Sequence, residues 1–336
     1  MKGFWTKLPK PFFALAPMAD VTDAAFRRLI AKYGKPDVMW TEFVSADGLC
    51  SPEGKKVLLK DLWYTEAERP IVAQFFTGVP ARMKEVAKLA QELKFDGIDI
   101  NMGCPDRGIE KSGGGAILIK NPKQAQNIIR AAQEGAGNLP ISVKTRIGYD
   151  KNIAHDWIKY LLDTNLDAIT IHARTRNEMS KVPAQWEVIG EIVELVRREL
   201  PEDKRPLIIG NGDVMTLEDA AEKARIYGVH GVMIGRGIFG NPWRFSRTKH
   251  TENIPLEERL KVMLEHTFLF EEIFKQSKNF DIMKKHYKAY IHGFDGAKEL
   301  RIELMNAKNA KDVELIMNTF LMSTLKSREG NGTLEQ

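Results

Sequence analysis

The sequence predicts an α/β fold: a TIM (β/α)8 barrel followed by a small C-terminal all-α helical domain. Three observations carry this. From Phe12 to Ile234, short apolar runs alternate with longer amphipathic stretches. After Pro242 the strand signal stops and only helical patterns follow. No Gly-rich dinucleotide fingerprint follows the first apolar run, which argues against a doubly wound sheet.

The expected strands are Phe12–Ala16, Val38–Thr41, Ile71–Phe75, Gly97–Asn101, Ile141–Thr145, Ala168–His172, Leu207–Gly210 and Gly231–Ile234. They are short and apolar throughout, as parallel strands covered on both faces should be. Between them Ala81–Leu93, Pro122–Glu134 and Leu217–Tyr227 place Val, Leu and Ala at three- and four-residue spacing with charges between, the pattern of an amphipathic helix. Beyond the barrel, Leu256–Lys275, Phe280–Ile291, Ala297–Ala307 and Lys311–Leu325 read as helices, and Ser327–Gln336 as a frayed polar end. The expected division is a barrel domain at 1–243 and a helical domain at 244–336.

Composition narrows the function classes. Of 336 residues, 43% are hydrophobic and 28% charged, a balance that excludes long disorder and fibrous chains. A mean hydropathy of -0.31 and the lack of a long apolar run exclude a transmembrane helix. The basic start is interrupted by Pro9, Lys10 and Pro11 before an apolar signal core can form, so it reads as mature protein. Cys50 and Cys104 are too few for a disulfide framework or a four-ligand zinc site, so a reducing cytoplasm and no metal are expected. Fifty Lys and Arg against forty-five Asp and Glu give +5, which permits a polyanionic partner without requiring one.

Active sites of such barrels form at the carboxyl ends of the strands. There the sequence places Ala16-Pro17-Met18-Ala19-Asp20, Gln74, Asn101 to Pro105, Lys144-Thr145-Arg146, His172 to Arg176, Asn211-Gly212-Asp213 and Gly235-Arg236-Gly237. The glycines after strands seven and eight either make tight turns or let backbone N–H groups approach a phosphate, and Arg236 favours the phosphate. Lys144 ends an apolar strand, so it needs an anion: a ligand, or an internal partner such as Asp99 or Glu42. His172 is a satisfied core histidine or a ligand contact, and Gln74 caps its strand or bonds the edge of a heterocycle. Cys104, just past a strand, is exposed at the mouth and mostly protonated at neutral pH, so it serves as proton donor as readily as nucleophile. Gly108 and Gly113 to Gly115 suggest a flexible loop around it. Cys50 reads as apolar filler.

The segments APMADVTDAAFR, TEFVSADGL, AQFFTG, DGIDINMGCPDRGIEKSGGGAIL, VKTRIG, IHARTR, GNGDV and GVMIGRG together resemble the tRNA-dihydrouridine synthase family. MKKHYKAYIHGFDGAKELR is similar to that family's helical domain, most of all in its bacterial B-type branch. Arg107 stands where many members carry lysine, and Lys181-Val182-Pro183 replaces a commoner glycine-containing turn. The resemblance implies FMN as cofactor and NADPH, or NADH, as reductant, with tRNA as substrate. By resemblance Pro17, Met18 and Ala19 line the flavin ring, Gln74 and Lys144 bond its polar edge, and His172 lies nearby. Asn211, Gly212, Asp213, Gly235 and Arg236 would hold the phosphate, Asn101 the uracil, and Cys104 would be the acid. Hydride delivery to uracil C6 leaves charge at C5 and O4, and a thiol on the opposite face can then protonate C5. Arg174, Arg176 and the Lys284-Lys285-His286 cluster are expected to meet RNA phosphates. The alternatives are an FMN-dependent barrel reducing a free pyrimidine or other small molecule, action on ribosomal RNA, and a non-catalytic RNA-binding protein.

Overall fold

The computed structural model describes residues 2–248, 254–275 and 277–331. Its sheet contains β1 (Phe12–Leu15), β2 (Met39–Ser45), β3 (Ile71–Phe76), β4 (Gly97–Met102), β5 (Ile141–Arg146), β6 (Ala168–His172), β7 (Leu207–Asn211) and β8 (Gly231–Ile234). All are parallel, each strand from β2 to β8 pairs with its sequence neighbour, and β1 pairs with β8. The seam between β1 and β2 is narrow. Ala14 bridges Val38, the Leu15 N–H donates to Val38 O at 3.1 Å, and the Asp37 N–H donates to Phe13 O at 2.9 Å, which closes the barrel. β2 runs on past the expected Thr41 to Ser45, with a register shift between Trp40 and Phe43 that the apolar pattern does not show.

The helices are α1 (Ala24–Tyr33), α2 (Ala46–Leu49), α3 (Pro52–Leu58), α4 (Pro80–Glu92), α5 (Arg107–Lys111), α6 (Pro122–Gly135), α7 (Ala154–Leu162), α8 (Trp186–Glu199), α9 (Leu217–Tyr227), α10 (Leu256–Phe274), α11 (Ile282–Tyr290), α12 (Ala297–Leu304) and α13 (Ala310–Asn331). Local chemistry sets their ends. The Asp23 carboxylate caps α1 by accepting from the Phe26 N–H, Asn121 caps α6 just before Pro122, and Gly228, at φ +66°, ends α9 in the left-handed region. α13 continues through the stretch expected to fray as far as Asn331, and 332–336 lie outside the described residues.

Alternate strand residues point into the barrel. In the lower layers these are apolar: Phe12, Ala14, Val38, Trp40, Val72, Ala168, Leu207, Ile209 and Met233 form one cluster. Trp5, from a single 3-10 turn at Gly3–Lys7, inserts beneath them with its ring centroid 5.8 Å from Phe12 and 6.1 Å from Trp40. Higher up, β3 to β6 supply Gln74, Asp99, Ser142 and Thr170, all buried. The core is therefore dry at its base and polar beneath the mouth.

α10 and α11 pack on α1. Phe26 stacks on His266 at 4.9 Å and meets His286 edge-on at 5.0 Å, while Glu265 accepts from both Lys32 Nζ and Tyr33 Oη at 2.6 Å. The Lys284-Lys285-His286 cluster is thereby split. His286 is fully buried in this aromatic junction, Lys284 pairs with Asp281 at 2.5 Å, and Lys285 lies 3.9 Å from Asp20, so the three do not form one phosphate-facing patch.

Beside the junction, Arg27 and Glu68 form a fully buried ion pair at 2.7 Å. Arg27 also donates to the carbonyls of Thr22 and Trp63, and Glu68 accepts from Thr65. Removing one member strands the other charge in the interior. Arg27→Met should lower unfolding stability by ~3–5 kcal/mol. Lys32→Ala, which breaks an exposed pair, should cost less than ~1 kcal/mol. Urea midpoints at constant slope measure both, and equal losses would mean that the buried pair is not the stronger constraint.

Candidate active site

A cavity of about 330 Å³ opens at the carboxyl ends of the strands. Of the residues expected at a site, it is lined by Pro17, Met18, Lys144, His172, Arg174, Asn211, Gly212, Asp213, Gly235 and Arg236. Gln74, Asn101 and Cys104 form a polar layer beside it, Pro105 reaches its wall, and Ala19 is exposed at the rim. The sequence reading gave Arg146 no role, yet it lines the cavity too. Its signal was available, because it lies two residues after Lys144 on one strand and so shares the inward face.

Lys144, Arg146, Arg174 and Arg236 converge on this space, and Asp213 is the acidic residue on its wall. Lys144 forms no ion pair among the described residues, so neither expected internal partner is used: Asp99 is bonded to Gln74 and Ser142, and Glu42 to Lys278. Burial, and then the neighbouring Arg146, push the Lys144 ammonium down to about 8. Burial alone pushes Asp99 up to about 6 despite the hydrogen bonds it accepts. Arg146, only 8% exposed, has its cation held by carbonyls: Nε donates to Gly103 O at 2.7 Å, and Nη1 to Thr175 O at 3.1 Å and Met179 O at 3.2 Å.

Arg174 is not an RNA-facing cation. It is 2% exposed, pairs with Asp213, donates to Val182 O at 2.6 Å and contacts His172 Nε2 at 3.1 Å. A guanidinium can only donate, so His172 Nε2 accepts, and the neutral ring carries its proton on Nδ1. Burial and the surrounding cations hold the His172 pKa well below the usual range, which keeps the ring neutral. Arg176 is half-buried and already paired. It grips Glu110 through two bonds of 2.8 and 2.6 Å and donates to Pro105 O at 3.1 Å, tying the β6–α8 loop to α5. Both arginines stand in a sequence-exposed pattern, and only the packing of loops from distant strands shows where their partners lie.

The loops after β7 and β8 bring Gly212, Asp213, Gly235 and Arg236 to the cavity wall. Gly212 takes φ +127°, where a Cβ would also come within 2.9 Å of Ala184 Cβ. Asn211 spends its amide on Met233 O at 2.8 Å. The Asp213 carboxylate sits between Arg174 and Arg236, the latter at 2.5 Å, and hydrogen bonding to Arg174 holds its pKa below the usual range. After β8 the chain enters a single 3-10 turn at Arg236–Ile238.

The Cys104 turn is fixed, not flexible. Asn101 Oδ1 accepts from the Gly103 N–H at 3.1 Å and the Cys104 N–H at 2.9 Å, and Cys104 O accepts from the Ala116 N–H at 2.9 Å. Burial raises the half-buried thiol above its ordinary pKa, against a lowering pull from Arg146 and Lys144. Cys50 lies elsewhere, against α4, with burial pushing it to about 11. Among the described residues no His, Cys, Asp and Glu cluster could hold a metal ion, and no helix is long and apolar enough to cross a membrane.

Comparison with known proteins places this geometry. A solved histamine dehydrogenase from Rhizobium sp. 4-9 superposes with TM-score 0.52 at 12% identity, over 76% of this chain and 48% of that one. A 2-naphthoyl-CoA reductase does so at 0.52 and 11%, over 70% and 49%. This chain therefore spans about half of each of these proteins, and the likeness is one of fold. By sequence, a probable tRNA-dihydrouridine synthase 2 of Bacillus subtilis (strain 168) is 41% identical over 321 residues, covering 95% of this chain and 97% of that protein. A probable tRNA-dihydrouridine synthase of Staphylococcus epidermidis is 39% identical over 321 residues, covering 95% and 96%. The profile of the family described as Dihydrouridine synthase (Dus) matches residues 14–326. The chain belongs to the dihydrouridine synthase family.

Proposed function

We propose that this protein reduces the C5=C6 bond of a uridine in tRNA to dihydrouridine, in the cytoplasm, with bound FMN and with NADPH or NADH as reductant. The observation that carries the reading is a half-buried thiol, Cys104, held beside a cavity on which four cations converge. Family membership and the names of the relatives support the substrate.

The residues fit a flavin mononucleotide. Gly212 and Gly235 offer backbone N–H groups to its phosphate, and Arg236 adds a charge-assisted contact. Asp213 would contribute through its backbone, because its carboxylate is negative and already shared by two arginines. Pro17, Met18 and Ala19 would line one face of the ring. Lys144, which has neither an ion pair nor carbonyl partners among the described residues, would face its electron-rich edge, and His172 would present Nδ1–H. Gln74 keeps one amide hydrogen for a ligand, since its other groups are bonded to Asp99 and Asn101. Bound reduced flavin supplies the hydride that uracil C6 accepts. Cys104 holds the proton for C5, and its raised pKa keeps that proton in place at neutral pH. Asn101 serves the Cys104 turn first and has one amide hydrogen left for the base. The uridine must leave its stack to enter, as in base-flipping enzymes. In this reading 1–243 is the catalytic domain and 244–336 the RNA-binding domain. Mapping dihydrouridine in total RNA from cells with and without the protein tests the substrate: loss confined to ribosomal RNA, or no loss, would overturn it.

Cys104→Ala should keep its flavin and still be reduced by NADPH, because hydride transfer to the flavin needs no acid beside the uracil. Its reoxidation by tRNA should slow ~10²–10⁴-fold. Stopped-flow flavin absorbance separates the two steps, and reoxidation at the parent rate would remove Cys104 from the acid role.

The released cofactor should be FMN by mass, and FAD at stoichiometric level would refute the assignment. Its retention should weaken as pH rises from 7 to 9.5, since the Lys144 ammonium is present below about 8 and lost above it. Lys144→Met should bind more weakly and lose that pH step, and Arg236→Ala should bind more weakly but keep it. Ultrafiltration with flavin fluorescence reads all three proteins, and a flat pH profile in the parent would assign retention to other groups.

A further inference from the structure

We infer that Asp99 is a positioning residue for Cys104, acting through a polarised chain of two buried amides, Gln74 and Asn101. Asp99 lies on β4 two residues before Asn101 and so shares its inward face. In register it stands opposite Gln74 on β3 and Ser142 on β5. Its carboxylate is fully buried and accepts from Gln74 Nε2 and from Ser142 Oγ, both at 2.5 Å. Gln74 Oε1 in turn accepts from Asn101 Nδ2 at 3.0 Å. Asn101 Oδ1 then accepts from the backbone N–H groups of Gly103 and Cys104.

Each carboxamide has one accepting end and one donating end, whereas a carboxylate only accepts. The two amides can therefore satisfy every neighbour in one orientation only. Flipping Asn101 would turn its NH2 group toward two backbone donors. Flipping Gln74 would face Asn101 with a donor and leave Asp99 opposite an acceptor. Gln74 and Asp99 are fully buried and Asn101 is 5% exposed, so water cannot easily repair a reversed link. Asp99 terminates the chain from below as the Gly103 and Cys104 amides terminate it from above. The charged groups acting on the thiol from neighbouring elements are Asp106, Arg146 and Lys144, none of which belongs to the chain.

The catalytic meaning of this device rests on Cys104 being the acid, but the device itself is testable without RNA. The assay is alkylation of Cys104 by iodoacetamide in a Cys50→Ala background, followed by mass spectrometry from pH 7 to 11, with thermal melting as a check on folding. In the parent, half-maximal rate should lie above the ordinary thiol value of about 8.5. Asp99→Val removes the terminal acceptor. It should loosen the turn, raise the rate at neutral pH by about fivefold, the factor carried by one hydrogen bond of typical strength, and move the profile toward the ordinary thiol. Asp99→Asn should remain within about twofold of the parent, because its carbonyl can still accept from Gln74 while its NH2 donates to Ser142. In an Asn101→Ala background, Asp99→Val should add nothing, since the chain is already cut. Should Asp99→Val fail to fold, Gln74→Met breaks the middle link and carries the same expectation. A folded Asp99→Val with the parent profile overturns the proposal, and so does an undiminished effect in Asn101→Ala. Reoxidation of Cys104→Ala by tRNA at the parent rate would instead sink the acid assignment and leave the amide chain standing.

Discussion

Closing an eight-stranded parallel sheet leaves a narrow interior that alternate side chains of every strand must fill. The rest of this structure depends on how that space is divided. Below, apolar residues and the inserted Trp5 make a dry base. Above, Gln74, Asp99 and Ser142 would each carry a desolvation penalty alone, and they offset it by bonding one another across β3, β4 and β5. The Cys104 turn is anchored to that layer through Asn101, so the barrel as well as the following loop holds the thiol.

The mouth carries a different burden. Gathering Lys144, Arg146, Arg174 and Arg236 around one cavity is unfavourable without an anion. The protein limits the repulsion in three ways. Asp213 pairs with two arginines at once, backbone carbonyls solvate Arg146, and His172 remains uncharged. Lys144 has no ion-pair partner among the described residues, and burial, followed by the nearby Arg146, lowers its pKa. A site prepared in this way attracts negative charge that develops on a ligand without having to reorganise first.

The helical region is joined to this site by more than surface packing. Lys278, between α10 and α11, reaches Glu42 in the middle of β2 at 2.7 Å and Asp61 at 3.0 Å. The other oxygen of Glu42 accepts from the Asp20 N–H at 2.6 Å, next to the Pro17–Ala19 loop. A cation from the helical region and a loop at the barrel mouth thus share one buried carboxylate, and burial raises that carboxylate's pKa against the pull of Lys278. Together with Phe26, His266 and His286, this fixes the helical region against α1.

The sequence by itself determined the periodic features. Short apolar runs separated by amphipathic stretches have one economical solution, so strands such as Ala168–His172 and helices such as Leu217–Tyr227 lie at the expected bounds. It also located the mouth, because residues at strand ends are adjacent in any closed barrel. Pairing was decided only by the tertiary structure. Arg174 and His286 are polar in sequence and buried in the fold, and Arg176 is half-buried in an ion pair, because Asp213, the ring of Phe26 and Glu110 reach them from distant positions. Lys144 and Arg146 look alike at the end of one strand, yet carbonyls brought in by two loops satisfy Arg146, while Lys144 has no ion pair among the described residues. A side chain's type and period are local properties. Its partner, its burial and the proton it holds depend on what the closed barrel brings within a few ångströms of it.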